Sequence, residues 1–474
     1  GDGAMTGGLA FEGLNNTSMY KNNLLIILND NNMAIDHISG GFSQYLLDLT
    51  TKPRYNRIRY KTYLLFKKLH LINDHKKQQV QRFNNSLKAV LSKQQKNIFS
   101  GLNLRYFGPA DGHNVIDLVR ILNEIKNHQG PRVLHIVTKK GKGYAPAEEN
   151  QSVWHAPGEF NIESGERKIG DAPLPLWQEV FGQTLLTIAK ENERVVGITP
   201  AMLGGCSMNI MQQELPERVF DVGIAEGHAV TFAAGLAKEG LIPFCNIYSS
   251  FLQRAYDNIV HDVCIPDLGV ILCIDRAGIV GEDGATHHGL LDLAYLRPIP
   301  NLIIAAPVDA ADFRQMLTLA AELHRPIAIR YPRGRTAPQH FPQQPLEIGK
   351  MRCLKKGKDT AVISIGAIGE RVYQAIKDSD VAQFDARWLK PLDTAELDRI
   401  AKTYNTIYTA EEGLINGGLY SAVCEYFAQK RYHNTIIPIG INNQFVEHGD
   451  TKSLYEMLGL DVSGIRQKIL GEKL

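Results

Sequence analysis

Short apolar runs alternate with stretches of helical periodicity along most of this chain. The run 24–28 has the length of a buried strand and passes at once into an Asn-Asp-Asn-Asn loop, and a second strand, 133–138, leads into KKGKGYAPAEE. From Trp177 onward the pattern becomes regular, with a helix over 177–189 and strands at 195–198, 242–246, 270–274, 302–306 and 327–331. Helices over 229–238, 251–263 and 310–323 fall between them. Strands alternating with helices of this length predict a mostly parallel sheet covered on both faces. A polar, Pro-containing stretch over 148–175 reads as a linker, and the Pro- and Gln-rich segment 337–345 marks a second boundary. A third α/β unit follows, with its clearest strands at 361–365 and 406–409. The length, 474 residues, is too great for one ordinary core and suits about three. The expected fold is therefore α/β in three domains, 1–170, 171–345 and 346–474, each a mostly parallel sheet flanked by helices.

Composition narrows the function classes. The hydrophobic fraction is 44%, the charged fraction 22% and the net charge only +2, which gives no general case for a nucleic-acid or membrane partner. No apolar run approaches the length of a bilayer span. The segment 52–97 stands apart, with 13 Lys or Arg against one acid, Asp74. It reads as a solvated insertion into the first domain, the alternative being a patch for an anionic partner such as RNA. The six cysteines are scattered without a CxxC pair, several in apolar stretches, so free buried thiols and a cytoplasmic location are expected. The chain opens inside a Gly-rich loop without the strand that should lead into it, and the expectation is a fragment whose first domain is incomplete.

Candidate chemistry sits in two places. Asp2 lies in a GDG loop, and Asn31 closes an NDN triplet after the first strand. A carboxylate and an amide carbonyl are hard oxygen donors suited to Mg²⁺, with positions left for diphosphate oxygens and water. Glycines let backbone amides approach phosphate closely. Together at this spacing the two triplets form the thiamine diphosphate motif, to which Met33 would add its backbone carbonyl. The second place is DVGIAEGHAV, 221–230, where Glu226 stands among apolar neighbours. Partial desolvation there would raise its pKa and favour a shared proton. The plain alternative is an acid at a helix N-terminus, stabilised by the dipole.

The motifs GDGAMTGGLAFEGLN, LNDNNMAI, YFGPADGHN, TKKGKGY, IAEGHAV, IYSSFLQRAYDNIVHDV, DRAGIVGEDGATHHG, RYPRG and MLGLDVSGI carry a resemblance over essentially the whole chain. It resembles the 1-deoxy-D-xylulose-5-phosphate synthase family of the transketolase superfamily, and the stretch 247–289 is especially diagnostic. The resemblance implies a three-domain transketolase-like architecture with thiamine diphosphate and Mg²⁺ as cofactors. Asp2, Asn31 and Met33 match its metal positions, with Gly3 and Ala4 in the same cofactor loop and Lys140 near the diphosphate. Glu226 matches the cofactor-activating glutamate, Phe251 the aromatic on the pyrimidine, and His155 a histidine near the cofactor. Tyr248, Arg254, Arg276 and Arg333 match positions around the substrate, where arginines would hold anionic groups. Asp283 and His287 match groups that orient reactants or move protons; neighbouring His288 and Gly227 depart from the commoner pattern and receive no role.

The implied reaction is decarboxylative condensation of pyruvate with D-glyceraldehyde 3-phosphate to 1-deoxy-D-xylulose 5-phosphate and CO₂, in a homodimer whose first two domains enclose the cofactor together. The product would feed isoprenoid, thiamine and pyridoxal phosphate synthesis. With the family's early segment absent, this chain alone is expected to be poorly folded over 1–150 and essentially inactive. Transketolase or pyruvate-dehydrogenase-like activity is the nearest alternative. A non-catalytic remnant, its third domain serving dimerisation, is another.

Overall fold

The computed structural model of the protein describes residues 1–33, 41, 45–46, 97–155, 157–167 and 173–471. Most of the basic run, 52–96, lies outside the described residues. The chain divides into two compact units, Gly1–Lys168 and Ile169–Leu474. That division falls inside the polar stretch predicted as a linker.

In the first unit, β1 (Leu25–Asp30), β2 (Arg105–Asp111) and β3 (Arg132–Val137) form a parallel sheet in the order β1-β3-β2. Leu28 and Val133 point from it into a small core with Met5, Leu14, Phe99 and Leu104. Among the described residues β1 is an edge strand, and its Ile27 is half-exposed. The helix Val115–Ile125 begins with an Asn114 cap on the Asp117 amide. It leaves Val115, Ile116 and Val119 exposed.

The second unit is built on two sheets. Its strands are β4 (Val195–Thr199), β5 (Val219–Asp221), β6 (Ile242–Tyr248), β7 (Ile271–Asp275), β8 (Ile303–Ala305) and β9 (Ile327–Arg330), followed by β10 (Arg352–Lys355), β11 (Thr360–Ile365), β12 (Ala382–Asp385), β13 (Trp388–Lys390), β14 (Thr406–Leu414) and β15 (Thr435–Ile441). One sheet has the order β13-β8-β9-β7-β6-β4-β5, the other β10-β12-β11-β14-β15. Strands β4, β6 and β7 are buried along their whole length, as the continuous apolar runs of a doubly covered parallel sheet require. Among these strands β13 and β10 pair antiparallel, with β8 and β12, and the other pairs are parallel.

Two expectations change in detail. The segment 388–390, placed by sequence in the third domain, crosses back as β13 to pair with β8, because the indole of Trp388 finds a buried place there. The helix expected over 251–263 is broken into Ser249–Leu252, Gln253–Ala255, Tyr256–Asn258 and a wide π-type turn, Ile259–Cys264. The wide turn lets both Val263 and Cys264 face the core. Such turns recur near functional segments.

Candidate active site

In the first unit, parallel pairing brings the ends of β1 and β3 side by side. Asp30 faces Val137, and the Thr138 amide donates to the Asp30 carbonyl at 2.8 Å. The opening turn docks on the same end, with the Asp2 amide donating to the Asn29 carbonyl at 3.0 Å. Its carboxylate accepts from the Asn32 amide at 2.7 Å, and the Asn31 side-chain oxygen accepts from the Met33 amide at 3.1 Å. A left-handed Asn32 (φ 56°), tolerated by its short polar side chain, makes that tight reversal. Asp2, Asn31 and Met33 therefore converge at the carboxyl end of the sheet, where α/β folds bind ligands. Lys140 leaves β3 at the same end and is half-buried, its carbonyl accepting from Gln151. His155, in the turn Val153–His155, is exposed.

Asp2 is buried beside a second buried acid, Asp30. Burial and then the Asp30 charge push its carboxyl above the ordinary value, against backbone N–H groups that pull it down. Asp30 is met by His135 Nε2 at 2.9 Å, and His135 Nδ1 lies 2.7 Å from the Tyr106 hydroxyl. Among the described residues no cluster of three or more His, Cys, Asp and Glu is placed to hold a metal. The candidate donors are instead one carboxylate, one amide oxygen and one backbone carbonyl. This hard-oxygen set, in a pocket with surplus negative charge, fits Mg²⁺ that keeps water and phosphate ligands.

In the second unit, four strands of one sheet deliver the other predicted residues to the same sheet end. Glu226 follows β5 and opens the helix Glu226–Lys238, with its side chain buried. Tyr248 closes β6, followed by Phe251 and Arg254; Arg276 follows β7, and Arg333 follows β9. Arg254 Nη1 donates to Glu226 Oε1 at 2.5 Å while its guanidinium lies 5.3 Å over the Phe251 ring. Phe251 stacks on Tyr248 at 5.5 Å and meets the His287 ring edge-on at 5.2 Å. Arg276 sits 4.3 Å over Tyr248 and pairs with buried Asp275 at 2.5 Å. Arg333 Nη1 donates both to Asp283 Oδ2 and to the Val280 carbonyl, each at 2.7 Å. Glu226, Tyr248, Phe251, Arg254, Arg276, Asp283, His287 and Arg333 thus form one constellation.

Three groups were given no role in the sequence. Asp275, the residue before Arg276, is fully buried; burial pushes its carboxyl up while Arg276 opposes that shift. Its place at a strand end beside an arginine was the available signal. Asp30 stood inside the NDN triplet itself. His288 is buried, its Nδ1 accepting from the Val280 amide at 3.1 Å and its Nε2 lying 3.1 Å from the Glu447 carbonyl. At Gly227 a Cβ would come within 2.8 Å of the Asn258 side-chain oxygen, so this chain is packed around the missing side chain.

Comparison with known proteins gives the family. Residues 175–338 match the family described as transketolase, pyrimidine binding domain, and 349–465 the transketolase C-terminal domain. A solved split-gene transketolase, an inactive beta4 tetramer, superposes with TM-score 0.56 at 30% identity, covering 63% of this chain and 99% of that one. Transketolase from Campylobacter jejuni shares the fold at TM-score 0.55 and 14% identity over 99% of this chain and 76% of its own. Fold and sites together define a transketolase-type α/β enzyme. Residues 1–138 match the family described as 1-deoxy-D-xylulose-5-phosphate synthase. The curated 1-deoxy-D-xylulose-5-phosphate synthases of Phocaeicola vulgatus and Parabacteroides distasonis are each 54% identical over 99% and 100% of this chain, which spans 76% of their length. The chain belongs to the 1-deoxy-D-xylulose-5-phosphate synthase family, a family of thiamine-diphosphate-dependent transferases. Among the described residues no helix is long and apolar enough to cross a membrane.

Proposed function

We propose that this protein condenses pyruvate with D-glyceraldehyde 3-phosphate, with loss of CO₂, to give 1-deoxy-D-xylulose 5-phosphate. The reading rests chiefly on the placement of Glu226. It is a buried acid at the carboxyl end of a parallel sheet, gripped by Arg254, whose guanidinium lies over Phe251, the ring that meets both Tyr248 and His287. Bound thiamine diphosphate supplies the electron sink that makes decarboxylation possible. Asp2, Asn31 and the Met33 carbonyl are assigned to Mg²⁺, and Gly3, Ala4 and Lys140 to the diphosphate, with His155 nearby. Glu226 would hydrogen-bond the aminopyrimidine side of the cofactor and serve its proton transfers; Arg254, on Oε1, fixes which way the group faces. Phe251 offers a flat face to an aromatic ring. Arg276 and Arg333 carry donors for the carboxylate and phosphate of the substrates. His287 and Asp283 orient the acceptor and move protons. A homodimer in the cytoplasm is the assembly and location we assign.

The test supplies the chain with thiamine diphosphate, Mg²⁺, pyruvate and D-glyceraldehyde 3-phosphate and follows the product by mass spectrometry. Glu226→Gln is expected to lower the rate at least ~100-fold. Two-carbon transfer from a ketose phosphate in place of pyruvate consumption would overturn the assignment. The rate of this chain alone is expected to lie far below that of the Phocaeicola vulgatus relative. The support for that expectation is the half-exposed Ile27 on edge strand β1, which leaves the sheet under Asp2 and Asn31 poorly covered among the described residues. A rate equal to the relative's removes only this last expectation.

A further inference from the structure

The loop 277–289 carries Asp283 and His287, and its backbone carbonyl at Val280 holds Arg333. Its neck is closed on itself, Gly278 and Gly289 exchanging amide–carbonyl bonds of 2.7 and 2.8 Å. What fixes it from below comes from the other sheet of the same unit. Glu412, on β14, is buried, and its Oε1 accepts from the Ile279 amide at 2.9 Å and the Tyr455 hydroxyl at 2.8 Å. Its Oε2 accepts from Arg371 Nη2 at 2.5 Å, and that guanidinium lies 3.9 Å over the Tyr455 ring.

We propose that Glu412 is a positioning residue, which sets the loop 277–289 from the five-stranded sheet and so fixes where Asp283, His287 and Arg333 stand. The proposal rests on the reaction assigned above. Burial alone would push the Glu412 carboxyl up; Arg371 and the Ile279 N–H hold it below its ordinary value, so the bond to the loop is charge-assisted. The shape agrees with the charge. Gly278 has φ 83°, and any Cβ there would fall 2.3 Å from Glu412 Oε1, so only glycine lets the carboxylate reach the next amide. His288 adds a second tie from the same side, joining the Val280 amide to the Glu447 carbonyl. The consecutive residues 279 and 280 are thereby held by the C-terminal part of the chain. On their other side, Val280 and Asp283 grip Arg333, and the His287 ring rests against Phe251. A loop that slackens at 279 moves three predicted site groups together. The C-terminal region then shapes the site, a role beyond assembly.

Amide exchange of the full chain, read by mass spectrometry without substrate, tests the tie independently of turnover. In Glu412→Gln, peptides covering 277–290 are expected to exchange about tenfold faster, while peptides from β6 and β11 keep their rates. Tyr455→Phe, which spares the bond to Ile279, is expected to leave the loop protected. If Glu412→Gln does not fold, Gly278→Ala, which pushes the carboxylate off the same amide, is read in its place. Unchanged exchange at 277–290 in the folded variant overturns the proposal. Equal acceleration in the reference peptides, or loosening by Tyr455→Phe as large as by Glu412→Gln, also overturns it by reducing Glu412 to general support. In the turnover assay kcat/KM for the aldehyde phosphate is expected to fall about tenfold in Glu412→Gln, with thiamine diphosphate affinity unchanged. A loosened loop with unaltered kcat/KM sinks the positioning role. A wild-type chain that yields no product while its loop still depends on Glu412 counts against the assigned reaction and leaves the tie standing.

Discussion

Two pairs of buried aspartates lie in the two units of this chain, and they differ in what neutralises them. In the second unit Asp312 and Asp385 share Arg352, whose Nη2 reaches them at 3.1 and 3.0 Å, and Arg387 adds a bond of 3.0 Å to Asp312. All four side chains are buried, so two carboxyl groups meet two guanidinium groups, although burial and the Asp312 charge still push the Asp385 carboxyl up to about 7. In the first unit Asp2 and Asp30 have His135 as their one ionisable partner among the described residues. The remaining stabilisation of Asp2 comes from backbone N–H groups. A buried ion set that contains its own cations can do no more than hold its surroundings together. An acid pair without them keeps a charge that something from outside can answer. The contrast therefore separates an acid cluster of architecture from one of chemistry, and the proposed Mg²⁺ is the answer for the second.

The contrast breaks first, and most widely, at the arginines. Arg387→Met would leave Asp312 and Asp385 with Arg352 alone, and should cost about 3–5 kcal/mol of stability, since an uncompensated buried charge is far more expensive than an absent pair. Urea unfolding of the full chain measures it; a loss below about 1 kcal/mol would mean that water already serves the cluster.

Asp2→Asn reverses the sign. Its amide oxygen can still accept from the Asn32 amide while the repulsion from Asp30 disappears, so stability without metal should hold or rise slightly. The affinity for Mg²⁺ with thiamine diphosphate, followed as a thermal shift against Mg²⁺ concentration, should weaken by at least about a hundredfold, some 2.8 kcal/mol. Equal shifts in the variant and the parent would remove Asp2 from the metal site.

How far the sequence could foresee this follows from the range of each interaction. The strands β4 and β6 to β9 were readable because a doubly covered parallel strand must be apolar throughout, whereas the three-residue β5 was too short to read; Glu226 was readable from its apolar neighbours and Arg276 from the resemblance. Asp2 and Asn31 were readable as a spaced pair. The partners were not. Arg352 and Asp312 are joined across 40 positions and Glu412 and Ile279 across 133, and no local periodicity encodes a contact of that span. The π-type turn Ile259–Cys264 was hidden for a related reason: its apolar residues satisfy an ordinary helical pattern, and only packing selects the wider turn.

The smallest effect puts the same contrast into two consecutive residues. Glu412 has Arg371; Glu411 has no ion pair among the described residues and is answered by the amides of Leu419 and Tyr420, each at 2.8 Å, with Arg330 and Arg297 acting only at longer range. Burial pushes the Glu411 carboxyl up to about 7 from an ordinary 4.5. Below 4.5 the folded and unfolded chains both carry its proton. Between that value and about 7 the unfolded chain has released the proton and the folded chain has not, so stability falls as pH rises through this window and levels off above it. Glu412, held below its ordinary value, contributes nothing to the slope there, since it is charged in both states. The expected outcome is that the parent loses more stability than Glu411→Gln between pH 5 and pH 8. One unit of displacement corresponds to about 1.4 kcal/mol. Paired denaturation curves at the two pH values give the difference directly. If parent and variant lose stability equally, Glu411 is ionised in the folded chain, and two backbone amides with distant arginines suffice where its neighbour needs an arginine in contact.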